Sequence, residues 1–310
     1  MPGKIEMRTG LSKVPAAYQI AEHLLVTDIW TDALTPYTTD EGVTWSEEGW
    51  LGDMAALRDG VITYADKGWI GNEWRQVDCR SSESGYLLHI SGLASFWISA
   101  DGQRITLLQA EPDQATKLLS ETALGAPFIL ALAVQDVYAL HVSVVQAGDQ
   151  LIAFAGESGR GKTTLARYLG LESGPGWERI IDDTLPVRVN QAGEVEALSH
   201  FPQLKMIDAF QPLHLVSQCA PLSVLYILDT EAAGREKAVQ IEPLSRGESA
   251  MAVVQHTVAS RLFNRQLLAR HLAFCDDFSA DVPVRRLIYP RRLEYLPRVR
   301  EALVADLDIS

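Results

Sequence analysis

The sequence contains little cysteine and relatively little positive charge. Its three cysteines, Cys79, Cys219 and Cys275, are far apart and form no Cys-x-x-Cys pair. This spacing argues against a zinc site or a disulfide framework and favours a reducing compartment. The 40 acidic residues outnumber the 27 basic ones, for a formal net charge of −13. A surface of this sign repels a phosphate backbone, so we expect no nucleic-acid partner.

The sequence also lacks a segment typical of a membrane anchor. The first residues, MPGKIEMRTGLSKV, have no apolar core of the kind found in signal peptides. The longest apolar run covers residues 125–145, but Pro127, Asp136 and His141 interrupt it. A membrane span needs about 20 predominantly apolar residues. We therefore interpret the run as a buried helix followed by a buried strand, and expect a cytoplasmic protein with no membrane partner.

The tryptophans are concentrated at the N-terminus, where six of the seven fall in the first hundred residues. Gly, Asp and Ser break this region into short apolar pieces, and Asp101–Gly102 is typical of a hairpin turn. We predict a β-rich domain over residues 1–110, with substrate recognition as its hypothetical role. From residue 111, strands alternate with helices, which predicts an α/β domain over residues 111–310.

One glycine-rich stretch has a specific chemical meaning. Residues Gly156 to Thr163 read GESGRGKT, which satisfies the pattern G-x-x-x-x-G-K-[S/T], with a buried strand before it and a helix after it. Backbone N–H groups in such a loop face phosphate oxygens, and glycine lets the chain wrap tightly around them. The alternative is a glycine-rich turn that binds nothing. It does not explain why the strand and the helix that such a motif requires are both predicted on either side of the loop.

The loop therefore predicts a nucleoside triphosphate site. Lys162 is expected to reach the β- and γ-phosphates, and the Thr163 hydroxyl to ligate Mg²⁺. The residues expected to hold ATP are Gly156, Glu157, Ser158, Gly159, Arg160, Gly161, Lys162, Thr163 and Thr164.

Two adjacent carboxylates end a later apolar run. Asp182 and Asp183 follow RII and are expected at the carboxyl edge of a neighbouring strand, where α/β sheets bind ligands. One carboxylate would hold Mg²⁺ and the other would accept a proton from an attacking hydroxyl. The alternative is a turn-forming pair, which is common where strands end.

These motifs together resemble the catalytic domain of bacterial HPr kinase/phosphorylase and its smaller relatives. The resemblance begins at His141, continues through the glycine loop and ends at Asp182–Asp183. Weaker similarity, over HFPQLKM and VPVRRLIYPRR, is to the HPr-kinase-related proteins of peptide-modification gene clusters, including those that phosphorylate lasso-peptide precursors. The resemblance implies a P-loop kinase domain of the HPr-kinase/PEP-carboxykinase-like type.

The resemblance also implies roles for individual residues. It places His141 near the reacting phosphoryl group, makes Asp183 a magnesium ligand beside Thr163, and makes Asp182 the base that deprotonates a serine. Lys205, which lies in the weaker similarity, becomes an additional catalytic cation. The region that HPr kinase uses to contact HPr has no clear counterpart after Asp183, so a ribosomal precursor peptide is favoured as acceptor over HPr.

Other functions remain open at this stage. The same loop and carboxylates would serve a small-molecule kinase or a nucleotide-sensing ATPase, although the second carboxylate argues against the latter. A basic cluster of Arg285, Arg286, Arg291 and Arg292 would either receive an acidic peptide or simply be solvated. The sequence leaves homo-oligomer formation open.

Overall fold

The structure is a computed structural model that describes residues 3–10, 15–29, 32–39, 59–111, 116–172, 176–198, 201–202, 219–230 and 239–308. The chain divides into two compact units. The first comprises Met1–Tyr138 and Val258–Arg270, and the second Ala139–Thr257 and His271–Ser310. The first boundary between the units lies after Tyr138 and not at residue 111, where the composition changes. The reason is that the helices after residue 111 pack against strands of the first unit. One such contact is the hydrogen bond that the Gln135 side-chain amide donates to the Gly102 carbonyl (3.0 Å).

The first unit contains an eight-stranded sheet in the order β2-β3-β1-β8-β7-β6-β5-β4. The predicted β-rich character is confirmed for the described residues, and the turn at Asp101–Gly102 joins β7 to β8 as expected. The strands are β1 (Gly3–Arg8), β2 (Ala16–Ile20), β3 (His23–Thr27), β4 (Val61–Ile70), β5 (Glu73–Ser82), β6 (Gly85–Ile90), β7 (Ala94–Ser99) and β8 (Arg104–Ala110).

Two consecutive helices follow this sheet, α1 (Thr116–Leu124) and α2 (Ala126–Val134). Pro127 lies in the first turn of α2, where a missing N–H costs no helical hydrogen bond. The stretch Thr116–Val134 is long and apolar enough to cross a membrane by length and composition, and 61% of its most apolar window is buried in the structure. The buried helix expected in the run 125–145 is thus present, and buried strands follow it.

The second unit contains a mixed six-stranded sheet in the order β12-β10-β11-β16-β18-β17. Strands β12, β11, β16 and β18 run in one direction, and β10 and β17 run against them. A smaller sheet has the order β15-β14-β13-β9. The strands are β9 (Tyr138–Leu140), β10 (Val142–Ala147), β11 (Gln150–Ala155), β12 (Trp177–Asp182), β13 (Leu185–Val189), β14 (Val195–Ala197), β15 (Ala220–Pro221), β16 (Val224–Asp229), β17 (Gln240–Pro243) and β18 (Val284–Ile288).

Four helices complete the described chain: α3 (Lys162–Arg167), α4 (Arg246–His256), α5 (Arg265–Asp281) and α6 (Leu296–Leu307). A π-helical turn, Tyr168–Glu172, extends α3. At the start of α4, Ser245 accepts from the Glu248 N–H while the Glu248 carboxylate accepts from the Ser245 N–H, which fixes where this helix begins. These elements give a mixed α/β fold, as the sequence predicts.

One hydrophobic cluster of the second unit lies on one face of its large sheet. Phe154 of β11 and Tyr226 of β16 are paired in register and stack with ring centroids 5.9 Å apart. Leu165 of α3 and Val299 of α6 are fully buried in the same cluster. Because β11 is central and buried on both faces, its sequence is almost continuously apolar. This packing holds the carboxyl end of β11 and the start of α3 in fixed positions.

His271 is a buried histidine of α5. Its side chain is fully buried, and its Nε2 lies 2.9 Å from the Thr257 hydroxyl. That hydroxyl donates to the Val253 carbonyl, so Nε2 carries the proton and donates to Thr257. Burial lowers the pKa of His271 to about 4.

Acidification should destabilise the protein through His271. The unfolded histidine, with a pKa near 6.5, binds a proton at a higher pH than the folded one, so stability falls as the pH drops from about 6.5 towards 4. This residue alone should cost about 2 kcal/mol of unfolding free energy between pH 7 and pH 5. Urea denaturation at both values should show a smaller difference in His271→Gln. In the control His89→Gln, which changes an exposed histidine, the difference should match wild type. An unchanged difference in His271→Gln would contradict this account.

Candidate functional site

The glycine loop connects β11 to α3 at the carboxyl end of β11. Gly159 and Gly161 have φ of 81° and 97°, a region that glycine occupies without strain. The first hydrogen bond of α3 runs from the Leu165 N–H to the Gly161 carbonyl (2.9 Å). The N–H groups of Thr163 and Thr164 therefore lie in the first helical turn, where a backbone N–H has no hydrogen-bond acceptor within the helix. This arrangement of backbone donors suits an anion.

Lys162 is held against the loop. It is only 7% exposed, and its Nζ donates to the carbonyls of Gly156 (2.7 Å) and Glu157 (3.4 Å). An ammonium buried beside backbone carbonyls gains from an incoming anion, because a phosphate would offset its charge. Arg160, the other cation of the loop, is bonded to the Glu157 carboxylate (3.2 Å). The loop thus holds one buried and one more exposed positive charge.

Asp182 lies next to the start of α3. Its Oδ1 accepts from the Thr163 hydroxyl (2.9 Å) and from the Ser143 hydroxyl, and its Oδ2 accepts from Arg179 (2.8 Å). The side chains of Arg179 and Asp182 are 7% and 14% exposed. These three contacts, one of which is an ion pair with a nearly buried arginine, hold the Asp182 carboxylate in a fixed orientation beside Thr163.

The position of Asp182 depends on an irregular step in β12. Residues three apart on a regular strand point to opposite faces, yet Arg179 and Asp182 form an ion pair. The pairing explains this: Val145 of β10 is opposite Arg179 and Val144 is opposite Ile181, so Ile180 is an extra residue. Beyond this bulge, Ser143 of β10 lies directly opposite Asp182.

Asp183 and His141 form a second group at the same edge. His141 Nδ1 lies 3.1 Å from the Asp183 carbonyl and 3.3 Å from its Oδ1. Because a carbonyl only accepts, Nδ1 carries the proton and donates to Asp183. The side chains are 36% and 24% exposed, so the carboxylate is accessible. Asp183 has a φ of 103°, a strained conformation for a residue with a side chain.

His256 ends α4 beside these groups, and its carbonyl accepts from the His141 N–H (2.8 Å). Burial, followed by the positive charge of Lys162 and the proximity of His141, lowers the pKa of His256 to about 4. His256 is therefore neutral near pH 7, and the cationic group beside it is Lys162.

The oxygen ligands suit magnesium. The Thr163 hydroxyl and the Asp182 carboxylate are hard oxygen donors, already 2.9 Å apart. Over the described part of the chain, no group of three or more His, Cys, Asp or Glu side chains is placed to hold a metal ion. Magnesium does not need such a group, because it binds one or two carboxylates together with substrate phosphates and water. The residues present therefore fit Mg²⁺ delivered with a nucleotide.

A cavity of about 170 Å³ adjoins the other side of the loop. Its lining consists of Gly161, Thr164, Tyr289, Arg291, Arg292, Leu293 and Leu296. Burial raises the pKa of Tyr289 to about 12, so its hydroxyl remains neutral. Leu293 is 71% exposed, which is high for a leucine beside a cavity.

Several sequence-predicted site residues come together in this unit. The loop residues 156–164, Asp182, Asp183 and His141 all lie at one edge of the large sheet, at the carboxyl ends of β11 and β12 and the start of β10. The expectation that the carboxylate strand is the immediate neighbour of β11 is wrong, because β10 lies between β11 and β12. Lys205, the additional predicted cation, lies outside the described residues.

Sequence reasoning missed three residues of the site. Ser143 and Arg179 bind Asp182, and His256 is bonded through its backbone to His141. Each contact depends on strand pairing or on where a helix ends, and no local motif marks them. The one available signal was that Ser143 lies two residues after His141 on the same predicted strand.

Comparison with known proteins gives little further information. No protein-family model matches the chain. No curated protein matches it either. Among solved structures, it is similar to the HPr(Ser) kinase/phosphatase from Coxiella burnetii, with 11% sequence identity and a TM-score of 0.28, over 55% of this chain and 95% of that one. This likeness is weak.

Proposed function

We propose that this protein is a kinase that transfers the γ-phosphoryl group of MgATP to a serine hydroxyl of a peptide or small protein. The observation that carries the proposal is the contact between Thr163 and Asp182 next to the buried Lys162, with the Asp183–His141 pair at the same sheet edge. A phosphate-binding loop, two oxygen ligands for magnesium and a separate accessible carboxylate are the parts that phosphoryl transfer needs.

The contacts favour roles for the two carboxylates that differ from the roles implied by the resemblance to HPr kinase/phosphorylase. Asp182 bonds to Thr163 and is neutralised by Arg179, which supports a magnesium-binding role. Asp183 is more exposed and bonded to His141, which supports the role of base. Bound Mg²⁺ would supply positive charge against the phosphates.

The serine oxygen forms a bond to the γ-phosphorus while the bond from that phosphorus to the β–γ bridging oxygen breaks, and ADP leaves. The serine proton passes to the Asp183 carboxylate, which the His141 Nδ1–H holds in place. Lys162 offsets the charge that develops on the phosphates.

For the acceptor, we propose a serine-containing precursor peptide, a class that includes lasso-peptide precursors. The β4–β5 hairpin of the first unit exposes Trp69 (60%) and Trp74 (66%), whose rings meet edge to face. Exposed tryptophans are enriched where proteins bind other chains. This supports a recognition role for the N-terminal region.

The experiment that tests the function uses ATP labelled in its γ-phosphate. The full chain is incubated with Mg²⁺ and serine-containing peptides encoded beside its gene, with serine-to-alanine copies of each as controls. Label on the serine peptide alone supports the proposal. Label on a small metabolite would instead identify a small-molecule kinase, and release of free phosphate alone would identify a nucleotide-dependent regulator.

A further inference from the structure

From the cavity beside Gly161 and Thr164, we infer that the protein binds the nucleoside end of its donor nucleotide there, against Leu293, Leu296 and Tyr289. The inference rests on the proposed function, because it takes the loop as the site of the triphosphate. It adds a binding site for the base and sugar, which the phosphate motif does not specify.

The geometry of α3 indicates how the donor nucleotide is oriented along the glycine loop. Successive helical residues project about 100° apart, and Thr163 and Thr164 face different groups. Thr163 bonds to Asp182, whereas Thr164 lines the cavity. The γ-phosphate must approach Asp183, the proposed base, so the nucleoside must leave the loop on the side of Thr164.

The strand order supports the same direction. The carboxylates end β12, two strands from β11 on one side, and Tyr289 follows β18, two strands from β11 on the other. With neighbouring strands about 4.8 Å apart, these ends are separated by roughly 19 Å across the sheet. That span leaves room for a nucleotide laid over the loop, with its phosphates at one end and its base at the other.

The lining of the cavity suits a base and sugar. The side chain of Leu293 is 71% exposed, and that of Leu296 is 5% exposed. Together they line the cavity with an apolar surface that a planar ring would cover. Arg291 and Arg292 supply hydrogen-bond donors at the rim. Arg292 also lies 3.5 Å from Glu294, an exposed pair that an incoming ligand would displace at little cost.

A peptide acceptor fits this cavity less well. Its lining includes Thr164 and not Thr163, which bonds to Asp182. It is also on the side of the loop opposite to Asp183, where the acceptor hydroxyl must arrive. The basic residues Arg291 and Arg292 are therefore assigned to the donor and not to an acidic peptide.

The test compares two probes, MgATP and magnesium inorganic triphosphate, by isothermal titration calorimetry on the full chain. Wild type should bind ATP at least about 10-fold more tightly, since covering an exposed leucine side chain such as Leu293 contributes on this scale. Leu293→Gln and Arg291→Gln change exposed residues and should remove most of that preference while leaving triphosphate binding within about twofold. The control Arg298→Gln removes the same charge from an exposed residue of α6 outside the cavity lining, and should change neither.

Each other outcome overturns the inference. Equal affinity of wild type for the two probes would mean that the nucleoside is not bound, and this requires no variant to fold. Equal weakening of both probes by the variants would indicate a general charge effect. Unchanged ATP affinity with a raised KM for a peptide acceptor would assign the cavity to the acceptor. Failure of wild type to bind either probe would overturn the proposed function itself.

Discussion

Replacing Lys162 by alanine should weaken MgATP binding by on the order of 100-fold, since a hydrogen bond to a charged group contributes about 1.5–3 kcal/mol. Phosphoryl transfer should fall further, because the ammonium also offsets charge that develops during the reaction. The buried position of Lys162, with its Nζ bonded to the loop carbonyls, is what concentrates this charge at the phosphate site. Calorimetry and single-turnover transfer measure the two effects.

The matched control is Arg167→Ala, which removes one positive charge from an exposed position on the same helix. Its affinity for MgATP should stay close to that of wild type. Circular dichroism of both variants checks that the fold is retained. Tight MgATP binding by Lys162→Ala would mean that the loop does not hold a triphosphate.

The second large effect should come from Asp183. Asp183→Asn should lower the single-turnover transfer rate by about 10²–10⁴-fold, the usual contribution of a general base. MgATP affinity should change little, because the variant removes a proton acceptor and not a phosphate contact. The side chain is partly exposed and asparagine has nearly the same shape, so the fold should tolerate the change.

Asp182→Asn should behave differently. It removes the carboxylate half of the ion pair with Arg179, which is only 7% exposed, and breaking such a pair costs about 3–5 kcal/mol. Thr163→Val tests the same proposed magnesium position without that loss, because Thr163 is exposed. Both variants should weaken binding of ATP with Mg²⁺ more than binding without it. If Asp182→Asn instead keeps full MgATP affinity and loses only transfer, the roles are those implied by the family resemblance, with Asp182 as base.

The parts of this site that could be predicted from sequence are those coded by neighbouring residues. The loop from Gly156 to Thr163 could be predicted because a phosphate-binding loop needs glycines, a lysine and a hydroxyl at fixed spacing between a strand and a helix. The end of β12 at Asp182 was readable because a buried strand gives an apolar run that stops at charged residues. The mixed α/β class followed from the alternation of such segments.

The parts that could not be predicted depend on which strands pair and in what register. The insertion of β10 between β11 and β12 brings Ser143 opposite Asp182, and nothing in the local sequence specifies that neighbour. The extra residue Ile180 then decides which side chains share a face with Asp182. The division of roles between the two carboxylates follows from these contacts, so it too required the structure.

The bulge in β12 limits how this site can be transplanted by design. A protein engineer who copied only the glycine loop and the Asp pair onto a regular sheet would lose the Arg179 partner of Asp182 and leave a bare carboxylate beside Thr163. A functional graft must include both β10, with its Ser143, and the bulge of β12 at Ile180, transferred together. The smallest portable module is therefore three strands and a helix, and not the loop alone.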